Sequence, residues 1–239
     1  LGRRIAGVVI TSPDNPTGRA LSPERQAALG RAALEAGAAF VLYDWMYHTV
    51  TDGSPMDLDS FVQGFEPGQR SRLMFLDGLT KSLGGSNIRS AHLIASADVI
   101  AFLTARASHA VIPPFYGMAV AIAAYQAGFA EVARVINEPT SASRAALRRF
   151  VAENGLTATL DQGYYAFLHV GPWLARRGWA DSEPLGTYLA EEHGLAIVPG
   201  AFFSRFGGEW IRFSYALPPE RTIGAARRLL EGLDALAAG

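Results

Sequence analysis

Residues 6–44 read AGVVITSPDNPTGRALSPERQAALGRAALEAGAAFVLYD. The apolar, β-branched run Ala6–Thr11 predicts a buried strand. Ser12–Arg19 is rich in Pro, Asn, Asp and Gly and predicts a loop. Ser22 then has the chemistry of an N-cap, Pro23 occupies the first helical position and Glu24 the first turn. The helix so begun ends at Gly37, a natural C′ residue. Ala39–Tyr43 predicts a second buried strand, ending at Asp44. Strand, helix, strand with continuous apolar runs predicts a parallel sheet covered on both faces.

The pattern extends outward from there. Arg72–Leu76 and Ala91–Ser96 predict a third and fourth strand, and helical patterns follow at Asp98–His109 and Phe115–Arg134. The remainder alternates differently. A polar, basic helix over Ser141–Asn154 precedes strands at Thr157–Leu160 and Tyr164–Val170 and a helix near Pro184–His193. Strands at Ala196–Val198 and Trp210–Tyr215 and a last helix from about Pro218 complete the chain. The expected fold class is α/β, a mostly parallel sheet flanked by helices, followed by a smaller α+β C-terminal domain. A boundary near Pro139 gives domains 1–138 and 139–239.

Composition narrows the function. A chain of 239 residues, 49% hydrophobic, can bury a real core. A net charge of −1 gives no basic or acidic excess to attract nucleic acid or an anionic membrane surface. With no cysteine, disulfides, zinc–thiolate sites and cysteine nucleophiles are excluded. This fits a reducing compartment, and a cytoplasmic location is expected. Arg3 and Arg4 precede only a short apolar run, too short for a signal peptide. Ala110–Tyr125, the most apolar stretch, is broken by Pro113 and Pro114 and is too short to span a bilayer. His48, His92, His109, His169 and His193 lack metal-ligand spacing, so no metal site is expected.

Four polar clusters fall at the carboxyl ends of predicted strands or just beyond them, where open α/β sheets bind ligands. They are Asp14-Asn15-Pro16-Thr17-Gly18, Asp44-x-x-Tyr47, Thr80-Lys81-Ser82-Leu83-Gly84-Gly85 with Arg89 eight residues after the lysine, and Arg212-Phe213-Ser214. Lys81 is the sole lysine in the sequence. Each cluster has a simpler reading: an Asx-turn before proline, an N-cap aspartate, a surface lysine, a strand arginine in an ion pair. The order of the four carries more weight than any one of them.

That order resembles the fold-type I, pyridoxal-phosphate-dependent class I/II aminotransferases, over the whole chain. The resemblance implies pyridoxal 5′-phosphate as cofactor, held by Lys81 as a Schiff base, with the freed Lys81 amine moving the α-proton. It implies that Asp44 pairs with the pyridine nitrogen, that Tyr47 and Asn15 bind the 3′-oxygen, and that Arg89 binds the phosphate. Arg212 would bind the substrate α-carboxylate in a bidentate fork, beside Asn15. The family's hydroxyl residue three before the lysine is Gly78 here, which Thr80 or Ser82 could replace. Trp45 could shape the substrate pocket, and His48, one residue past Tyr47, could line the site, although a surface loop is the simpler reading; Gly163-Tyr164-Tyr165 reads as core packing, and Arg144, Arg148 and Arg149 as a solvated face.

The implied reaction is transamination between an α-amino acid and a 2-oxo acid. The alternatives are another reaction with the same cofactor (lyase, decarboxylase or oxidase) or a non-catalytic fragment or subunit. The family carries a comparable stretch of chain ahead of these motifs, including a phosphate-binding loop and a ring stacked on the pyridine. The resemblance therefore implies an N-terminal segment on the same or another chain, and a homodimer. Residues 1–239 alone are then expected to bind the cofactor weakly and to leave sheet surface uncovered.

Overall fold

The computed structural model describes residues 5–107 and 115–238. Arg3, Arg4, His109, Pro113 and Pro114 lie outside the described residues. The chain divides into two compact units. One comprises residues 1–13 and 20–137, the other Asp14–Arg19 and Glu138–Gly239.

The first unit is built on a four-stranded sheet in the order β1 (Gly7–Thr11), β2 (Phe40–Asp44), β3 (Leu73–Gly78), β4 (Ala91–Ile94). The first three strands are parallel, in the register Ile10↔Tyr43↔Phe75. β4 runs antiparallel, with Gly78 opposite Ala91. The chain between them therefore leaves and re-enters the sheet at one end, through the one-turn helix α1 (Leu79–Ser82) that carries Lys81.

Strand–helix–strand at the start folds as its sequence dictates. Helix α2 (Pro23–Glu35) begins at Ser22, whose hydroxyl accepts from Arg25 N at 3.3 Å, with Pro23 in the first turn. Its buried residues Gln26, Ala27, Gly30 and Leu34 recur at helical spacing and pack on the sheet. Against the same face lies helix α3 (Leu58–Gln63), capped by Asp57. The core there is aromatic: Tyr43 stacks on Phe75 at 5.3 Å and meets Phe61 edge-on at 5.0 Å. Burial pushes the Tyr43 phenol above its ordinary range, and its hydroxyl donates to Gln26 O at 3.2 Å.

Gly30 is where that hydroxyl passes the helix, and a Cβ at this position would overlap Tyr43 Oη. Gly30→Val is expected to destabilise by about 1–3 kcal/mol through overpacking. This outweighs the roughly half kcal/mol that valine's better helix propensity returns. An unshifted urea midpoint would contradict it.

The opposite sheet face departs from expectation. Val9 is 60% exposed, and Leu42 and Met74, beside it in register, are only half-buried. Among the described residues this face is not covered as the apolar runs suggest. Periodicity records which residues could be buried, not what buries them.

Further helices of this unit are α4 (Pro67–Arg70), α5 (Ala97–Arg106) and α6 (Phe115–Gln126). After Gly128 comes α7 (Phe129–Glu153), one continuous helix through Pro139, near which the sequence suggested a domain boundary. Its buried positions explain the continuity. Ala133, Thr140, Ser143, Arg144 and Leu147 form one stripe that passes Pro139 without changing phase. The division into units falls within this helix, after Asn137. Among the described residues no single helix is long and apolar enough to cross a membrane.

The second unit has a four-stranded antiparallel sheet in the order β5 (Ala158–Thr159), β6 (Tyr165–His169), β8 (Trp210–Ser214), β7 (Val198–Pro199). It packs with α7, α8 (Gly171–Arg177), α9 (Glu183–His193) and α10 (Pro219–Ala238) around Leu168, Leu185, Leu189, Ile211, Leu229 and Leu233. Helix α8 was not expected from the sequence. It starts at Gly171-Pro172, a pair that reads as a breaker but is an ordinary helix start, and it ends at the left-handed Gly178.

Candidate active site

Each unit carries a cluster of the expected residues. In the first unit they gather at the carboxyl end of the parallel strands. Asp44 is the last residue of β2, half-buried, and its Oδ1 accepts from Met46 N at 3.1 Å. That bond fixes the carboxylate at the strand end. Three residues after Asp44 the buried Tyr47 presents its ring to Lys81, with Nζ 5.8 Å from the ring centroid. Lys81 is held near the strand end because Leu79 N donates to Ser90 O at 3.2 Å, pinning the loop where it leaves and re-enters the sheet.

Arg89 sits in the same loop. It is the only non-glycine with positive φ among the described residues, at +54°. Such a backbone conformation costs about 1 kcal/mol or more and persists where the surroundings impose it. Its Nη1 donates to Ser86 O at 2.9 Å. Ser82 is fully buried and donates to Gly78 O at 3.1 Å, so its hydroxyl serves the loop rather than a ligand. Thr80, half-buried, is the remaining hydroxyl beside the lysine.

Two residues of this cluster differ from expectation. His48, read as surface loop, is only 12% exposed in its side chain, and its Nε2 lies 3.0 Å from Asp77 Oδ2. The pair ties the Asp44–His48 turn to the strand that leads to Lys81. Burial and then the Asp77 carboxylate push the nearby Tyr125 phenol above its ordinary value. Trp45, expected to shape a substrate pocket, is a core residue. Its Nε1 donates to Gln26 Oε1 at 3.0 Å and its ring packs on Phe61 and Phe75. Asp77, four residues before the lysine, was the available signal for the His48 contact.

In the second unit Arg212 lies mid-sheet, opposite Phe167 on β6 and Val198 on β7. Its guanidinium carbon is 4.3 Å from the Tyr165 ring centroid, a diagonal neighbour across the ladder, and 5.1 Å from that of Phe203. Its Nη1 donates to Asn15 Oδ1 at 2.8 Å, across 197 residues of sequence. A guanidinium offers five N–H donors in a rigid fork, so an arginine held this way can still grip a carboxylate in its plane. Of the two rings that fix that plane, Tyr165 was read from the sequence as core packing and Phe203 was not singled out.

The loop bearing Asn15 is built for its position. Gly18 N donates to Asp14 O at 2.9 Å, and Thr17 Oγ1 donates to Asp14 Oδ2. Gly18 has φ +65°, and a Cβ there would overlap Tyr165 O. Glycine is thus required both for the left-handed turn and for the close approach.

The donor set fits pyridoxal 5′-phosphate. An amine, a carboxylate fixed at a strand end and a phenol lie together in one unit, with an arginine following in the lysine loop. Class I/II aminotransferases use this cofactor.

Comparison with known proteins agrees. The model of the family "Aminotransferase class I and II" matches residues 1–229. An aspartate aminotransferase of Geobacillus stearothermophilus is 26% identical over 236 residues, covering 98% of this chain and 59% of that protein. A probable N-acetyl-LL-diaminopimelate aminotransferase of Bacillus subtilis is 26% identical over 231 residues, covering 96% of this chain and 54% of that protein. An aminotransferase of Mycobacterium tuberculosis of known structure shares the fold, with a TM-score of 0.83 at 21% identity over 98% of this chain and 59% of that one. The chain thus spans little more than half the length of the relatives it matches. By the extent of the family match, it belongs to the class I and II aminotransferases.

Proposed function

We propose that this chain contributes the lysine, ring-nitrogen and carboxylate-binding groups of an enzyme that transfers an amino group from an α-amino acid to a 2-oxo acid. The observation that carries this reading is the only lysine in the sequence, at the carboxyl end of the parallel sheet, 5.8 Å from the Tyr47 ring. When bound, pyridoxal 5′-phosphate supplies an electron sink for the substrate α-carbon. Lys81 Nζ would hold the cofactor covalently and, once the substrate amine replaces it and frees the lysine amine, would move the proton at the α-carbon. The Asp44 carboxylate would keep the ring nitrogen protonated. The Tyr47 hydroxyl and the Asn15 amide would bind the ring oxygen, and Arg89 the phosphate. Arg212, with Asn15, would orient the substrate through its α-carboxylate.

In this reading residues 1–138 belong to the cofactor-binding domain and 139–239 to the small domain. The whole enzyme is a homodimer whose remaining phosphate contacts come from an N-terminal segment on the same or another chain. Relatives named for aspartate and for acylated diaminopimelate share an acidic amino-acid framework, which suggests dicarboxylic substrates for a first screen.

The test is product identity. Cofactor-loaded protein given an amino donor and 2-oxoglutarate should yield glutamate and the donor's 2-oxo acid in equal amounts. Release of ammonia or carbon dioxide in their place would show a lyase, oxidase or decarboxylase.

Asp44→Ala should retain cofactor and lose turnover by about 10²–10⁴-fold, the usual contribution of one positioned proton-holding group. Full activity in this variant would reduce Asp44 to a turn residue.

A further inference from the structure

The buried arginine of the second unit has a place in this machinery. Arg144 was expected on a solvated helix face with Arg148 and Arg149. Those two are exposed, but Arg144 is fully buried on the inner stripe of α7. Burying a guanidinium is costly unless its donors are met by well-placed acceptors. Arg144 Nη2 donates to Gly163 O at 3.2 Å and Nε to Tyr215 Oη at 3.2 Å. The Tyr215 hydroxyl donates in turn to Gln162 O at 3.1 Å, and Tyr215 N donates to Tyr164 O at 3.0 Å. Arg144 and Tyr215 together therefore fix the turn Gln162–Tyr164 that leads into β6.

That turn grips the Asn15 loop. Asp161 N and Gln162 N both donate to Gly18 O, at 3.1 and 2.9 Å, and Thr159 Oγ1 donates to Thr17 O at 2.7 Å. Three donors from one strand–turn segment thus hold two consecutive carbonyls of the loop. The segment continues into Tyr165, whose ring covers Arg212, while the loop carries Asn15, whose amide oxygen binds Arg212. Two of the three groups packed on Arg212, Asn15 and Tyr165, thus trace back to one clamped turn, while Phe203 does not.

We propose that Arg144 and Tyr215, with Thr159, are positioning residues for substrate-carboxylate binding. They hold Asn15 and Tyr165 so that the Arg212 fork is presented in a fixed plane. The proposal rests on the assignment of Arg212 to the α-carboxylate. Loss of the clamp lets Asn15 and Tyr165 drift, and a bidentate contact is sensitive to shifts well under 1 Å. The penalty then falls on substrates with an α-carboxylate and spares those without one, which a general loss of folded protein would not do.

The test compares L-alanine with ethylamine, which differ only in the α-carboxylate, as amino donors for the cofactor-loaded protein. The readout is the ratio of their kcat/KM values. Arg212→Ala should collapse the ratio. Thr159→Val, which loses one hydrogen bond, should lower it about five- to tenfold, and Tyr215→Phe, which loses two, about tenfold or more; each removes one clamp hydroxyl with little change of shape. If Arg212→Ala collapses the ratio and neither clamp variant moves it, or if both variants slow the two donors equally, the positioning role is overturned and the carboxylate assignment stands. A ratio unmoved by Arg212→Ala overturns the carboxylate assignment and the clamp with it.

Discussion

Lys81→Ala should lower transamination by about 10⁴-fold or more, since one change removes both the covalent anchor and the α-carbon base. No other lysine in the sequence can substitute for it. The fold should survive the change. Lys81 is half-buried on a one-turn helix, and that loop is held by the bonds of Leu79 N to Ser90 O and of the Ser82 hydroxyl to Gly78 O. Unfolding free energies should therefore match the parent within about 0.5 kcal/mol, as for surface substitutions generally. Exogenous methylamine should restore part of the proton transfer. A Lys81→Ala protein with parent-like turnover would refute the role, and a large fall in stability would show that the lysine is structural.

Arg212→Ala should raise KM for α-amino acids by about thirtyfold, equivalent to about 2 kcal/mol. That is the low end of what is lost when a hydrogen-bonded charge pair is broken in an interface, because this guanidinium is only half-buried. Donors without a carboxylate should lose far less. Arg212→Lys should behave more like alanine than like the parent. Lysine keeps the charge, but it lacks the planar fork that stacks between Tyr165 and Phe203 while binding Asn15. Equal losses for amines and amino acids would place the effect elsewhere.

Much of this arrangement is legible in the sequence, for identifiable reasons. Ser22-Pro23-Glu24 specifies a helix start through local hydrogen bonding, and the structure places α2 there. The strands ending at Asp44 and before Lys81 are short apolar runs bounded by turn residues, and both form. Contacts made across long separations were not legible. His48 meets Asp77 across 29 residues and Arg144 meets Tyr215 across 71, and neither pairing leaves a periodic trace. Pro139 marked the neighbourhood in which the two units divide, but not that one helix runs through it. In the folded chain it costs one hydrogen bond within a helix whose buried stripe runs straight past it. The direction of β4 was equally silent, since apolar runs do not encode which way a strand points.

The proposed role of Lys81 as the covalent anchor of the cofactor is open to direct chemical test. Borohydride reduction of the protein loaded with pyridoxal 5′-phosphate, followed by peptide mapping, tests it most directly. A single pyridoxyl label is expected, on the peptide containing Thr80-Lys81-Ser82, and none in Lys81→Ala. A label on any other residue, or cofactor still covalently retained by Lys81→Ala, would contradict it.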